Sequence, residues 1–263
     1  MSRVSVLIPC FQAAGWLRRT IESCVSQQGL LEIIIVDDGS TDGSLAILQE
    51  LATEHPGIVK VYNNPAKGGN NARNYAFSLS EGDYIQWLDA DDQLGKGKLE
   101  NQLKLFDSDA SADIVYSDWE LDIYDEVDLL KKEIKVNGPK EDFLLALLKD
   151  QWSSPNTYLL KRAFAQQLHD ARAWNPDTVV KQDREYFTIA AILGARFRYV
   201  PGVYAIYNRW NKSSVSAASG QLQFQAQEIL LRRFETMIGQ AAFTEGQKRS
   251  YYNSIDTERV LLN

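Results

Sequence analysis

The feature that most constrains the fold is an alternation of short apolar runs with longer amphipathic segments in the first 116 residues. The predicted strands are Val4 to Ile8, Glu32 to Val36, Ile58 to Tyr62, Asp83 to Leu88 and Asp113 to Tyr116. Between them, apolar residues recur at helical spacing, as Leu17, Ile21 and Cys24 do. Strands that alternate with helices predict βαβ units, and hence an α/β fold with a mainly parallel, Rossmann-like sheet flanked by helices.

The later residues continue this pattern less regularly. Residues 118–136 are charged and are expected to form a hairpin or a lid-like excursion. Helical patterns cover Pro139 to Leu148, Gln182 to Leu193 and Gln221 to Ile238, and strand-like runs cover Pro155 to Leu160 and Arg196 to Tyr207, the second broken at Pro201-Gly202. We expect one domain over residues 1–215, with parts 1–117 and 118–215, and a helical C-terminal extension over 216–263.

The charge balance limits the partners of the chain. Its 263 residues carry a net charge of -7, so no excess of Lys and Arg is present to neutralise the phosphates of a nucleic acid. We therefore expect no nucleic-acid partner. An acidic protein that binds an anionic nucleotide needs a divalent cation or a local basic cluster beside it.

Cysteine usage and hydropathy indicate the compartment. Cys10 and Cys24 are the two cysteines, too few for a disulfide framework or a Cys-based zinc site. The N-terminal residues carry no signal-peptide pattern, and the apolar runs fall far short of the roughly 20 residues that cross a bilayer. These features predict a cytoplasmic protein without a transmembrane segment. Peripheral contact with the inner face of a membrane stays open.

Acidic residues follow two of the predicted strands. Asp37 and Asp38 end the second strand, and Asp89, Asp91 and Asp92 follow the fourth. Ligands of open parallel sheets bind at the carboxyl ends of the strands, so these side chains are expected to converge. Carboxylates at a nucleotide site repel a diphosphate unless a hard cation lies between them, which favours Mn²⁺ or Mg²⁺. Each acidic turn alone also fits a helix cap or a surface loop.

Five segments carry a family resemblance. They are Val4 to Phe11, Val36 to Ser44, Gly68 to Asn74, Leu88 to Asp92 and Gln182 to Glu185. In this order and spacing, over about residues 3 to 210, the chain resembles glycosyltransferase family 2, whose members are inverting enzymes with the GT-A fold. The resemblance implies that residues 1–117 bind the nucleotide sugar and that residues 118–215 form the acceptor side.

The resemblance also implies roles for the donor side. Asp38 would read the base of the donor, Pro9 to Phe11 would line the nucleoside pocket, Lys67, Arg73 and Ala90 would lie near the phosphates or the sugar, Asp89 would contact the ribose or the sugar, and Asp91 would bind the metal ion. Gly68 and Gly69 would permit close approach of the backbone to the ligand. The alternatives for Arg73 and the two glycines are a surface cation and an ordinary turn before a helix.

The resemblance implies that Asp183 is the catalytic base. Asp183 lies near the start of a predicted helix, where backbone amides favour an ionised carboxylate. Family members usually carry Glu before this Asp, whereas this chain has Gln182. Glu185 is the alternative, either as a competing base or as a charge on the helix surface.

The segment Tyr207 to Ser214 combines cations with small polar residues. It is expected to form a mobile loop in which Arg209 meets the diphosphate, with Trp210 as a packing residue in the alternative. Processive relatives carry Gln-x-x-Arg-Trp here, but Ile206 stands at the Gln position, which favours a non-processive enzyme. Trp152 and Trp174 lie on the acceptor side and receive no role, although aromatic faces suit sugar rings.

The expected function is therefore transfer of a sugar from a nucleoside-diphosphate sugar to a hydroxyl of a glycan or a lipid-linked acceptor. UDP is the commonest donor nucleotide in the family, and such enzymes build cell-surface polysaccharides and glycoconjugates. Two alternatives stay open. The first is a catalytically silent relative that binds carbohydrate or nucleotide sugar. The second is a sugar nucleotidyltransferase, which is less favoured because Pro9 to Ala13 lacks the Gly-rich basic loop expected after its first strand.

Overall fold

Nine strands form one sheet in the computed structural model, which describes residues 3–125, 128–178, 180–210 and 220–262. They are β1 (Val4–Cys10), β2 (Leu30–Asp37), β3 (Val59–Asn63), β4 (Tyr84–Trp87), β5 (Gln93–Leu94), β6 (Ile114–Asp125), β7 (Asp128–Lys135), β8 (Tyr158–Lys161) and β9 (Phe197–Trp210). Their order is β3-β2-β1-β4-β8-β6-β9-β5, and β7 pairs with β6.

Helices cover both faces of this sheet. They are α1 (Leu17–Val25), α2 (Ser44–Glu54), α3 (Gly69–Leu79), α4 (Lys98–Ser108), α5 (Phe143–Leu148), α6 (Arg162–Asp170), α7 (Gln182–Ile192), α8 (Gly220–Gln240) and α9 (Glu245–Leu262). A short 3-10 helix, Pro155–Thr157, precedes β8. Within the described ranges, no helix is both long and apolar enough to cross a membrane.

The first part of the chain forms the predicted parallel βαβ units. Strand β1 lies between β2 and β4 and is parallel to both, and β3 is parallel to β2. Cys10 pairs with Asp37, which pairs with Asn63, while Leu7 pairs with Trp87. The carboxyl ends of these strands therefore lie along one edge of the sheet, as the sequence predicted.

The second part of the sheet mixes strand directions. Strand β8 is antiparallel to β4 and β6, whereas β9 is parallel to β6. The hairpin predicted over residues 118–136 is confirmed by the antiparallel pairing of β7 with β6. The predicted break at Pro201-Gly202 is wrong. Strand β9 continues through it, because a bulge absorbs the irregularity: the register shifts near Asp118 and Gly202 adopts a φ of 131°.

The core lies on both faces of the sheet, which explains the uninterrupted apolar run of β1. Leu7 packs into the cluster that α3, α6 and α7 cover, while Val6 and Ile8 pack into the cluster beneath α1, α2 and α4. A parallel strand with helices on both faces is buried on both sides, so its sequence shows no alternation. The rigid centre of the sheet thus fixes the loops at its carboxyl edge.

The C-terminal helices share this core. Phe234 and Ile238 of α8 and Ile255 of α9 belong to the cluster that contains Tyr186 and Ile189 of α7. The amphipathic pattern predicted over residues 221–238 is confirmed as α8. The limit predicted between residues 215 and 216 lies outside the described residues.

Candidate active site

The acidic turn after β4 is anchored at both ends. Its residues are Leu88, Asp89, Ala90, Asp91 and Asp92. The Asp92 amide donates to the Asp89 carbonyl at 3.1 Å, and the Leu88 amide donates to the Leu7 carbonyl of β1 at 3.1 Å. The Thr20 hydroxyl of α1 donates to the Ala90 carbonyl at 3.0 Å. Ala90 is therefore held by its backbone, and the turn presents the Asp89 and Asp91 side chains from a fixed frame.

Arg73 of α3 joins this turn to the start of α7. Its Nη2 donates to Asp89 Oδ1 at 2.7 Å, and its Nη1 donates to Gln182 Oε1 at 2.9 Å. Its guanidinium also lies 4.5 Å from the centroid of the Trp174 ring, and its side chain is buried. These contacts fix the cation, so Arg73 is not the surface charge that the sequence left as an alternative.

Asp183 lies in the first turn of α7, close to Asp89. The indole N–H of Trp152 donates to Asp183 Oδ2. Burial raises the pKa of Asp183, and the negative charge of Asp89 raises it further, while the Trp152 hydrogen bond and the Arg73 charge act in the opposite direction. A raised pKa makes the carboxylate a stronger base in its ionised form.

The separated carboxylates converge on Tyr207 of β9. Burial raises the pKa of the Tyr207 hydroxyl, and so do the carboxylates of Asp92, Asp89, Asp91 and Asp183, in that order. The Tyr207 ring also packs edge-on against Trp152, with centroids 5.6 Å apart. The sequence assigned neither Tyr207 nor Trp152 to the carboxylates, because each lies far along the chain from Asp89 and no local pattern links them.

Negative charge accumulates at the turn. Burial, followed by the charge of Asp89, raises the pKa of Asp91 to about 6, and Arg19 opposes this shift. Asp92 is buried and accepts hydrogen bonds from the Asn208 amide at 2.9 Å and the Ser154 hydroxyl at 3.4 Å. Burial raises the pKa of Asp92 well above its usual range. Asp92 therefore connects the turn to β9 through its hydrogen bond with Asn208. A cation can offset the negative charge of the Asp91 carboxylate.

The donor set fits a hard divalent ion that shares its coordination with a ligand. In the part of the chain that is described, no group of three or more His, Cys, Asp or Glu side chains is arranged to hold a metal ion. Mg²⁺ at nucleotide sites is commonly bound through one or two carboxylates, with phosphate oxygens and water completing its shell. Asp91, with Asp89 beside it, supplies oxygen ligands of that kind.

Asp38 lies at the carboxyl end of β2, which β1 separates from β4, and is fixed by the loop before α3. The Gly68 amide donates to both of its carboxylate oxygens, at 2.9 and 3.0 Å, and Asn64 Nδ2 donates to Oδ1 at 2.6 Å. Gly68 has a φ of 114°, which favours glycine at this point of the loop. Asp37 beside it has one buried carboxylate oxygen without a hydrogen-bond partner among the described residues. The sequence singled out Asp38 and missed this property of Asp37.

The other predicted donor residues spread along the same edge. Pro9 lies in β1 opposite Val36, and Phe11, directly after β1, exposes 54% of its surface. Lys67 is exposed and immediately precedes Gly68. An exposed aromatic ring, a cation and the Asp38 carboxylate thus follow β1, β3 and β2, which suits a base and its phosphates.

The loop predicted from Tyr207 to Ser214 is wrong for its first half. Residues up to Trp210 belong to β9, because they pair with the long strand β6, and Arg209 is exposed opposite Ile123. Residues 211–214 lie outside the described residues. Trp210 is a packing residue, stacked between Trp16 at 3.6 Å and Tyr124 at 4.2 Å.

Glu185 is not the surface charge that the sequence left open. It exposes 1% of its surface and accepts a hydrogen bond from Arg233 of α8. Its carboxylate therefore pairs with the C-terminal helix α8. Asp183 is the carboxylate of α7 that accepts the hydrogen bond from Trp152.

Solved structures share this fold. The chain superposes with a TM-score of 0.71 on S. aureus TarS 1-349 in complex with UDP-GlcNAc, at 21% identity, over 99% of this chain and 72% of that one. It superposes with a TM-score of 0.63 on the mannosyltransferase PcManGT from Pyrobaculum calidifontis in complex with GDP-Man and Mn²⁺, at 18% identity, over 98% and 69% of the two chains. The fold is that of the GT-A glycosyltransferases, which confirms the predicted fold class.

The sequence comparisons define the family. The profile described as glycosyl transferase family 2 matches residues 5–171, more than half of the chain. The chain belongs to this family. Among its relatives is the UDP-Glc:alpha-D-GlcNAc-diphosphoundecaprenol beta-1,3-glucosyltransferase WfaP of Escherichia coli, 34% identical over 110 residues, which are 41% of this chain and 43% of that protein. The chain spans about half or less of the length of the curated relatives it matches.

Proposed function

We propose that this protein is an inverting, non-processive glycosyltransferase that moves a sugar from a nucleoside-diphosphate sugar to a hydroxyl group of its acceptor. One observation carries the proposal. Arg73 contacts Asp89 on the donor side and Gln182 beside Asp183, so the donor turn and the base belong to one site. Direct displacement needs this proximity, because the acceptor oxygen and the donor carbon must meet within one site.

Asp183 accepts the proton of the acceptor hydroxyl in the proposed reaction. As that proton leaves, the oxygen forms a bond to the anomeric carbon, and the bond from that carbon to the diphosphate oxygen breaks on the opposite face. The configuration inverts, and the electron pair of the broken bond leaves with the nucleoside diphosphate. Trp152 orients the Asp183 carboxylate through its indole N–H, and the raised pKa of Asp183 favours proton acceptance.

The donor lies along the edge formed by β1, β2 and β4 in this proposal. Asp38 accepts a hydrogen bond from the nucleobase of the donor, beside the exposed ring of Phe11 and the backbone of Pro9. Lys67 lies near the phosphates, and Arg73 acts mainly through Asp89, because its guanidinium is already engaged there. Arg209, exposed on β9, contacts the diphosphate from the other side.

Asp91 would hold Mn²⁺ or Mg²⁺ on the donor diphosphate, with Asp89 on the sugar side. Burial, followed by the negative charge of Asp89, raises the pKa of the Asp91 carboxylate to about 6, and a bound cation would favour its ionised form. The ion would neutralise charge on the departing phosphate.

The substrate class is proposed from the relatives. The name of WfaP specifies UDP-Glc and a lipid diphosphate acceptor, and the TarS structure is a complex with UDP-GlcNAc. The Pyrobaculum structure contains GDP-Man. We favour a UDP-sugar donor and a glycan or lipid-linked acceptor of cell-surface polysaccharide or glycoconjugate synthesis. Such an enzyme would act in the cytoplasm or at the inner face of the membrane.

A ligand screen tests the proposal. Purified protein is heated with UDP-glucose, UDP-GlcNAc or GDP-mannose, each with and without Mn²⁺. Binding to the folded state alone at about 100 times Kd adds about 2.7 kcal/mol of stability, so a substrate raises Tm measurably. Asp38→Ala is the matched variant, because it removes the proposed contact with the nucleobase and should reduce the rise in Tm.

Release of nucleoside diphosphate from the stabilising nucleotide sugar then separates the alternatives. The proposed enzyme releases it slowly to water and faster with an acceptor. A silent relative binds the nucleotide sugar but releases no nucleoside diphosphate. A nucleotidyltransferase instead forms pyrophosphate from a nucleoside triphosphate and a sugar phosphate.

A further inference from the structure

Two buried charges follow Asp183 directly on α7, and both pair with the C-terminal helices. Arg184 exposes 2% of its surface and Glu185 exposes 1%. Charged side chains are seldom buried this completely unless they are paired. The family profile ends at residue 171, so it covers neither α7 nor the helices that receive these charges.

Arg184 is held by α9. Its Nη1 and Nη2 donate to the two carboxylate oxygens of Glu258, each at 2.5 Å, in a bidentate ion pair. Gln227 of α8 donates to the same carboxylate, and Lys181, just before α7, donates to Gln227. Bidentate Arg–carboxylate pairs fix orientation as well as distance.

Glu185 is held by α8. Its carboxylate accepts from Arg233 Nη1, and Arg233 Nη2 donates to the carbonyls of Ala171 and Arg172 at 3.2 and 3.1 Å. Burial raises the pKa of Glu185, and the charge of Arg233 acts against that shift. Arg233 therefore connects α7, α8 and the segment that follows α6.

Helix geometry makes these contacts relevant to Asp183. Successive side chains of an α-helix point about 100° apart, so residues 183, 184 and 185 face three different directions. Asp183 meets Trp152, Arg184 meets α9, and Glu185 meets α8. The turn cannot rotate or slide without separating at least one of the two buried ion pairs. A shift of about 1 Å in a reacting group can cost about 100-fold in rate.

We propose that α8 and α9 act as a positioning element for Asp183, with Glu258 and Arg233 as its positioning residues. The inference rests on the proposed role of Asp183 as the base. The helices touch neither substrate in this proposal. They hold the first turn of α7 in place beside Asp89, so that Asp183, as the proposed base, can reach the acceptor oxygen.

The test compares two ion pairs of the same helices. Glu258→Gln removes the closer of two carboxylates that pair with Arg184, at 2.5 Å, and leaves the exposed Asp150 at 3.6 Å. Glu235→Gln removes one of the carboxylates that pair with Arg259, and these pairs join α9 to α8 through Glu235 and Glu228. Each variant is assayed with Mn²⁺ for nucleoside diphosphate released to water from UDP-glucose, UDP-GlcNAc or GDP-mannose, whichever stabilises the parent most. Calorimetry with the same nucleotide sugar gives the fraction of protein that binds it, and kcat is divided by that fraction.

Glu258→Gln is expected to lower this corrected kcat by about tenfold or more, while KM for the nucleotide sugar stays within about twofold, because the donor contacts lie on β1 to β4. Glu235→Gln is expected to keep both constants. A merely structural role would lower only the binding-competent fraction and leave the corrected kcat unchanged, which overturns the inference.

A second variant decides the case if Glu258→Gln does not fold. Arg233→Gln removes the other ion pair. Because burial raises the pKa of Glu185, this carboxyl group can then become protonated instead of staying charged and unpaired. The same drop in corrected kcat is expected, and a parental value overturns the inference. Asp183→Asn, assayed in parallel, separates the two proposals. If it keeps the parental rate, the proposed function fails, whereas an inactive Asp183→Asn with a parental Arg233→Gln refutes only the positioning role.

Discussion

Replacement of Trp152 by Phe isolates the hydrogen bond that orients the proposed base. The indole N–H of Trp152 donates to Asp183 Oδ2, and its ring packs edge-on against Trp119 and Tyr207 at 5.6 Å. Phe keeps an aromatic ring at this place but has no N–H. The variant therefore removes a donor from the ionised carboxylate while it retains much of the packing.

The magnitude follows from the charge of the acceptor. A hydrogen bond to a charged group contributes about 1.5–3 kcal/mol, and one pKa unit corresponds to about 1.4 kcal/mol. Because the Trp152 hydrogen bond lowers the pKa of Asp183, its loss should raise that pKa further, by the amount that the energy of this hydrogen bond sets. The base form of Asp183 is lost as pH falls through this pKa, so the acidic limb of the pH profile should move to higher pH.

The assay is the pH dependence of kcat/KM for nucleoside diphosphate release, measured with Mn²⁺ and a saturating acceptor or water between about pH 5 and 9. Trp119→Phe is the matched control, because Trp119 belongs to the same aromatic cluster and its indole nitrogen has no hydrogen-bond partner among the described residues. Its acidic limb should stay in place. An acidic limb of Trp152→Phe that coincides with the parental one, or lies at lower pH, would refute the reasoning.

Three further predictions concern the same carboxylates. Asp183→Asn should lower kcat about 10²- to 10⁴-fold and leave the calorimetric Kd for the nucleotide sugar near the parental value; a parental rate contradicts the assignment. The thermal shift produced by Mn²⁺ should grow as pH rises through about 6, because the ion competes with the proton of Asp91, and a shift independent of pH speaks against Asp91 as a ligand. Gln182→Glu adds a negative charge that shares Arg73 with Asp89, so it should raise the pKa of Asp183 and move the acidic limb of kcat/KM upward; an unmoved limb shows that the charge of Arg73 does not reach the base.

The sheet could be predicted where its strands have a local signature. Each β-branched run, and each acidic segment directly after β2 or β4, is a local pattern of a few residues, so the parallel edge with Asp38 and Asp89 follows from periodicity. The continuity of β9 through Pro201-Gly202 did not follow. Its pairing with β6 is a long-range contact that no local pattern shows. The bulge at Gly202 accommodates a turn-like sequence inside the strand.

The contacts among the candidate site residues could not be predicted from the sequence. Arg73 lies 16 positions from Asp89 and 109 positions from Gln182, and no periodicity connects such distant residues. Trp152 is another case, because an isolated tryptophan in sequence fits a core, a surface or a sugar platform equally well. Only the folded chain shows that its indole N–H meets Asp183.

Four consecutive residues explain how the proposed base, Asp183, is held although the partners of these residues are scattered along the chain. Gln182 accepts from Arg73 of α3, Asp183 accepts from Trp152, Arg184 pairs with α9, and Glu185 pairs with α8. Because Gln182 is neutral, it takes a hydrogen bond from Arg73 without adding a second negative charge to the one at Asp89. The positive charge of Arg73 lowers the pKa of Asp183. Burial, the largest cause, nevertheless keeps that pKa above its usual value. The first turn of α7 thus carries contacts to α3, α8 and α9 on the residues that flank Asp183, while burial of Asp183 is the main cause of its raised pKa.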